Sequence, residues 1–443
     1  MKITIHKDGY KWDGWGTSLA WWAHYIGTNC DESVKKDLAE KIFGESGLEL
    51  NIIRYNIGGG SNPDTDNHTR LRPGADVPGY KKHKDDPYNW ECDNGQLYFV
   101  QNYTEDVIIE AFSNSPPWYM TKNGFVSGSR TLCTSNLKKE CVQDFVIYLV
   151  DVMEHLMKQK MINIEYISPM NEPSSPLCPE NQEGCYWDPI IRRKVIRSLR
   201  NEIRKRNLGV KMACCDENNV LQSLSAMTVF CDKVNIHTYR LSQFSKDYHT
   251  RDIEDSVVFR KTLGFITKNV TRKSLWVSEW GCGEAPGYHD IRNGLKVGLK
   301  IINDIVNLRV NGWVYWQVVE NGDGNGGWGL IQLPFKESVT VDEIKTSTQY
   351  LVMSHFSKFI KRNYTIIGGE FDENGMSYVH AKNETENTIV IVNNTDKRQP
   401  VTIDTKIVSM KMYISNNEKR MEEIETDMNM FMMDPYETRT VVF

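Results

Sequence analysis

Eight short β-rich runs, each followed by a stretch with helical patterning, narrow this chain's possible folds more than any other feature. The runs cover residues 14–18, 51–57, 107–113, 164–169, 210–215, 233–237, 275–278 and 313–317. The clearest helical pattern covers 140–159, where Val142, Phe145, Val146, Leu149, Val152, Met153 and Leu156 recur with a 3.6-residue period. Another covers 189–206, with Asp188 as its predicted N-cap and Pro189 at the first helical position. Parallel strands need long crossover connections, usually helices. Eight strand–helix units in series are what an α/β fold of the (β/α)8 TIM-barrel type requires.

Beyond about residue 345 the texture changes to period-two alternation broken by Asn-Asn, Asn-Gly and Asp-Glu-Asn turns, which predicts a small antiparallel β-sandwich. The expected division is a catalytic barrel over 11–345 and a sandwich built from 1–10 plus 346–443, the strand-like first residues joining the second unit. Connections 61–95 and 173–187 exceed ordinary loop lengths and are read as walls of a site.

Composition excludes several partners. A net charge of −5 and a pI near 6.1 leave no electrostatic footprint for nucleic acid or an anionic membrane. No run approaches about 18 continuous apolar residues, so no membrane span is expected. The opening MKITIHKDGY lacks the apolar core of a secretion signal. The expected compartment is cytoplasmic as numbered, or extracellular if a signal has been cut away. Sequons such as Asn363-Tyr364-Thr365 matter only in the second case. Ten cysteines include no CxxC pair and no histidine at zinc spacing, so no metal or other cofactor is expected. Cys178 and Cys185 bracket a short loop as a possible disulfide, while the adjacent Cys214 and Cys215 read as small core residues of a strand. A monomer is expected.

In a barrel of this type the site lies where strands end. The second run ends in Arg54-Tyr55-Asn56, the third in Ser113-Asn114-Ser115-Pro116-Pro117-Trp118 and the fourth in Asn171-Glu172-Pro173. The sixth ends in His237-Thr238-Tyr239, the seventh in Ser278-Glu279-Trp280 and the eighth in Tyr315-Trp316-Gln317. Glu172 and Glu279 thus project from strands four and seven across one mouth. Two carboxyls flanking an aromatic-rimmed cleft are the parts needed to cut a glycosidic bond: one protonates the leaving oxygen, and the other attacks or stabilises the cationic carbon. Arg54 is the cation that would keep Glu279 ionised, Tyr239 a donor to the same carboxylate, and Asn171 a holder of a sugar hydroxyl. Each has a blander reading. Arg54 serves equally as a structural ion-pair partner, His237 as a satisfied core histidine, and Trp316 as a barrel plug.

The motifs GWGTSLAWW (14–22), NIIRYN (51–56), SPPWYM (115–120), SPMNEP (168–173) and VSEWG (277–281) together resemble the retaining glycosidases of glycoside hydrolase family 30. The resemblance implies a TIM barrel with an appended β-sandwich, Glu172 as general acid/base and Glu279 as nucleophile. It further implies Asn171 at the sugar's C2 hydroxyl, Arg54 and Tyr239 supporting the nucleophile, and Trp316 as the floor beneath the sugar. Trp21, Ser113, Asn114, Trp118 and His237 complete the expected substrate-binding set. Within the family, GWGTSLAWW is most similar to the endo-β-1,6-galactanase branch. The aspartate near Trp21 and tryptophan near Ser113 of the glucosylceramidase branch are absent. The implied activity is hydrolysis of β-1,6-linked galactan or its oligosaccharides. β-1,6-Glucan, xylan, glucosides and fucosides are the alternative substrates, and a non-catalytic carbohydrate-binding protein is the alternative class.

Overall fold

The computed structural model describes residues 1–443 except 66–70, 73, 103–105, 129–132, 176–179, 227–230, 241–256, 283–288, 325–326 and 406–407. Its centre is a closed parallel barrel. We number the barrel strands β1 (Gly14–Ser18), β2 (Ile52–Asn56), β3 (Ile108–Phe112), β4 (Ile164–Ser168), β5 (Lys211–Asn219), β6 (Lys233–Arg240), β7 (Ser274–Trp280) and β8 (Gly312–Gln317). They neighbour one another in chain order, and β8 closes on β1. All eight predicted runs become these strands, most of them rich in the β-branched and aromatic residues that suit a buried parallel sheet. Gly16 is required in β1: a Cβ there would lie 2.5 Å from the Ile52 carbonyl oxygen of β2.

The helical pattern of 140–159 appears as helix Val142–Gln159, with Phe145, Val146, Leu149, Val152, Met153 and Leu156 buried against the barrel. Helix Pro189–Lys205 starts where predicted, with the Asp188 carboxylate accepting from the Ile190 and Ile191 amides. Helix Thr348–Ser357 packs on helix Ile291–Asn303, and Gly294 permits the approach, since a Cβ there would sit 2.4 Å from the Thr348 carbonyl oxygen.

The C-terminal strands form a seven-stranded sheet and a three-stranded sheet. The N-terminal strand Lys2–Thr4 joins the smaller sheet, parallel to Gln399–Asp404, while Tyr10–Lys11 edges the larger one against Thr365–Glu370. Strand Asn387–Asn393 of the larger sheet has apolar residues on both faces. Val390 and Val392 join the core continuous with the barrel, whereas Ile389 and Ile391 join Ile3, Val401 and Ile403 beneath the smaller sheet. No described helix is long and apolar enough to cross a membrane.

One cysteine expectation is corrected. Cys214 is not a plain core residue but is bonded to Cys231, 17 residues on, with 5.6 Å between the Cα atoms. The Cys178–Cys185 pairing falls on a segment whose first cysteine lies outside the described residues.

Since both faces of strand Asn387–Asn393 are dry, Val390→Ala and Ile391→Ala should each cost about 2 kcal/mol or more. Denaturant midpoints at unchanged slope check this; a sheet with one wet face would be sensitive at one position only.

Candidate active site

At the C-terminal mouth of the barrel lies a cavity of about 250 Å³. Glu172 and Glu279 face it from opposite strands, together with Trp21, Asn114, Asn171, Tyr239 and Trp316. Glu172 follows β4 in a left-handed conformation, φ 42°, although it precedes Pro173. That geometry is strained for a residue with a side chain. It is held by the backbone: the Glu172 amide donates to the carbonyl of Asp216 at 2.8 Å. The loop is anchored further by Ser174, whose amide and hydroxyl donate to Glu217 at 3.1 and 2.8 Å, while Arg192 pairs with Glu217 at 2.6 Å.

Glu279 ends β7 and is almost entirely buried. Tyr239 donates its hydroxyl to one carboxylate oxygen at 3.1 Å, and Arg54 reaches the other at 3.4 Å. His237 Nδ1 lies 3.2 Å from Glu172 and 3.5 Å from Glu279, and its Nε2 lies 3.2 Å from Asp216. Asp216 also accepts from the Ser168 and Ser278 hydroxyls and from Arg54 at 3.2 Å. Behind them, Arg54 pairs with Glu110 at 3.0 Å and Glu110 with Lys233 at 2.6 Å. The Lys233 ammonium rests 3.0 Å from the Trp276 ring centre and 4.2 Å from that of Tyr166. The result is a column of alternating charge through the barrel interior.

The column sets the protonation states. Burial alone would depress His237, but Glu279 and its bonds to Asp216 and Glu172 outweigh that and lift it to about 10, so both ring nitrogens carry protons. Burial opposes ionisation of Asp216 too, yet Arg54 and His237 hold it well below the usual carboxylate range. Burial first, then the charge of Glu279, pushes the Tyr239 hydroxyl well above its ordinary value, so it acts as a donor. For Glu279, burial and the charge of Glu172 push the carboxyl up to about 7 against the pull of His237 and Arg54.

Glu172, His237 and Glu279 offer ligand atoms within 4.8 Å of one another, the one such group of cation-binding spacing among the described residues. The imidazole fits a cation poorly: its Nδ1 carries the proton that faces both glutamates, and an ion would have to displace it.

Four of the expected substrate-binding residues do not line the cavity. Arg54 and His237 are fully buried and touch the carboxylates instead. Ser113 turns its hydroxyl to the Ser115 carbonyl at 3.0 Å. Trp118 donates to the Lys82 carbonyl at 3.0 Å and packs edge-on to His83, fastening the 61–95 connection. In their place stand residues that strand-end reasoning missed: Arg72, Gln182, Glu183, Asn218, Glu320 and Trp328. Arg72 and Glu183 come from the two long connections, which meet where the Arg72 amide donates to the Asn181 carbonyl at 2.9 Å. The Arg72 guanidinium covers the Trp21 ring at 4.7 Å, and Trp21 meets Trp316 edge to face at 5.0 Å.

Comparison with known proteins gives this geometry its setting. An endo-β-1,6-galactanase of Hypocrea rufa is 28% identical over 425 residues, covering 89% of this chain and 80% of that protein. An exo-β-1,6-galactobiohydrolase of Bifidobacterium longum subsp. longum is 23% identical over 73% of this chain, which spans 28% of the relative's length. Among solved structures, a conserved exported protein from Bacteroides fragilis superposes with a TM-score of 0.86 at 19% identity, covering 100% of both chains. The catalytic domain of GH30 xylanase C from Talaromyces cellulolyticus gives 0.74 at 18%, over 100% of this chain and 99% of that one. Both structural likenesses speak to the fold alone. The model of O-glycosyl hydrolase family 30 matches residues 1–328, most of the chain, and the protein therefore belongs to that family of glycoside hydrolases.

Proposed function

We propose that the protein hydrolyses β-1,6-linked galactan or galactooligosaccharides with retention, Glu279 acting as nucleophile and Glu172 as general acid/base. The observation that carries the mechanism is the close approach of the two glutamates, with ligand oxygens within 4.8 Å across the cavity. Carboxyls about 5–5.5 Å apart leave no room for an attacking water between enzyme and sugar, as inversion would need at about 6.5–9.5 Å. Support for the substrate comes from the two relatives named for β-1,6-galactan chemistry. The GWGTSLAWW motif of β1 points the same way.

Charge decides the roles. The column joined to Arg54 and His237 holds three cations (Lys233, Arg54 and His237) against the four carboxyls of Glu110, Asp216, Glu279 and Glu172. Burial and the like charge of Glu172 raise Glu279, while the bonds it accepts from Tyr239 and Arg54 favour its ionised form and aim it for attack. Glu172, on the more open side of the cavity, is placed to serve the departing oxygen. In the first step the Glu279 carboxylate attacks the anomeric carbon while Glu172 gives its proton to the departing oxygen. In the second, Glu172 takes a proton from water, which attacks the same carbon and frees Glu279. Asn171, beside the acid, holds a hydroxyl of the reacting sugar.

Glu279→Gln should lower turnover about 10^4-fold or more while leaving sugar binding intact. Kinetics on β-1,6-galactooligosaccharides with binding calorimetry would read both, and activity within a few-fold of the parent removes Glu279 from the nucleophile's role. NMR of the first-formed product should find the β-anomer, and an α-anomer would refute retention.

The raised Glu279 carboxyl also predicts a pH profile. Glu279, pushed up to about 7, keeps its proton below that pH and can attack only once the proton is lost. kcat/KM should therefore fall on the acid side of about pH 7. Glu172→Gln should lower the rate about 10^2- to 10^4-fold on an unactivated substrate. It should also move the acid limb to lower pH, because the charge of Glu172 helps to raise Glu279; an unmoved limb would assign the titration to another group.

A further inference from the structure

Glu183 lies in the same cavity but outside the charge column. It comes from the 173–187 connection and is only 3% exposed. One carboxyl oxygen, Oε2, accepts from the side-chain amides of Asn56 at 2.8 Å and Asn114 at 3.3 Å. The other, Oε1, is buried without a hydrogen-bond partner. No ion pair to Glu183 occurs among the described residues, and burial pushes its carboxyl up to about 7 against the two asparagine donors and the backbone amide of Gly59. A buried acceptor left unmatched costs about 1–3 kcal/mol, a cost that a water, an ion or a ligand hydroxyl relieves by supplying the missing donor. Asn171 also lines the cavity, and its Oδ1 is likewise buried and unmatched.

Position indicates what Glu183 meets. Asn56 ends β2 and Asn114 follows β3, so they hold the carboxyl on the side of the mouth away from β7, which carries Glu279. Glu183 lines the same cavity as Glu172 and Glu279, within reach of the body of a pyranose whose anomeric carbon lies between those two. Resting on the glycosidase reading above, we propose that Glu183 is a substrate-binding residue that accepts a hydrogen bond from a hydroxyl at C3 or C4 of the sugar Glu279 attacks. It thereby selects for that hydroxyl's presence and orientation. A site built around such a bond discriminates strongly against a sugar lacking it, because the acceptor then stays buried and unmatched.

The test compares 4-nitrophenyl β-1,6-galactobioside with two congeners lacking the C3 or the C4 hydroxyl on the residue next to nitrophenol. Glu183→Ala should lower kcat/KM about 10- to 100-fold on the parent compound. On one congener, which the unaltered enzyme uses poorly by a similar factor, it should change little. Equal losses on all three compounds would make Glu183 a scaffold for Asn56 and Asn114 and overturn the proposal. So would an unaltered enzyme indifferent to both deoxygenations. If Glu183→Ala does not fold, Glu183→Gln keeps the volume and carries the same comparison. An enzyme that ignores the galactosides but cleaves the gluco-configured series refutes the galactan reading, and the matching gluco congeners then decide the role of Glu183.

Discussion

The alternating column from Lys233 through Glu110, Arg54 and Asp216 to His237 and the two glutamates is what the rest of the site depends on. A barrel interior ordinarily fills with branched apolar side chains. Here its centre holds ions in direct contact, and an unpartnered charge at such depth would be heavily penalised. Each charge is tolerable only with its neighbours in place. That mutual dependence fixes the Glu279 carboxylate between Arg54 and Tyr239 before any substrate arrives, the kind of preorganisation that electrostatic catalysis requires. The aromatic cage of Trp276 and Tyr166 around Lys233 is the foot on which the column stands.

Much of this was legible in the sequence because it follows from period and order. Eight apolar runs separated by helical patterns specify a barrel, and Glu172 and Glu279 were found simply as acids where strands stop. What escaped depends on departures from regularity. Asp216 adopts φ 44° at a register shift in β5, which lets its carboxylate reach Arg54 and His237; strict alternation does not announce such a bulge. The run Asp216-Glu217-Asn218-Asn219 at the end of β5 was nonetheless a visible signal, of the same kind as those collected from the other strands.

Glu183 and Arg72 had no periodic signal at all. They enter the site on long irregular connections, and only the meeting of those connections in space brings them to the cavity. Ser113 and Trp118 failed for the converse reason: once β3 ends at Phe112, spacing no longer says which way a side chain turns. The Cys214–Cys231 bond likewise joins β5 to the approach of its neighbour β6, and the connectivity of ten cysteines does not follow from their positions along a chain.

The two-sided burial of strand Asn387–Asn393 has a consequence for how the molecule holds together. Val392 and Val352 both approach Gly298 on the barrel's outer helix, so residues beyond the span matched by the family model cover part of the barrel's own surface. The larger C-terminal sheet is therefore packed on the barrel, not tethered to it. Barrel and larger sheet share one interior, while the smaller sheet closes a second core on the other face of the same strand, which makes Asn387–Asn393 a wall common to both.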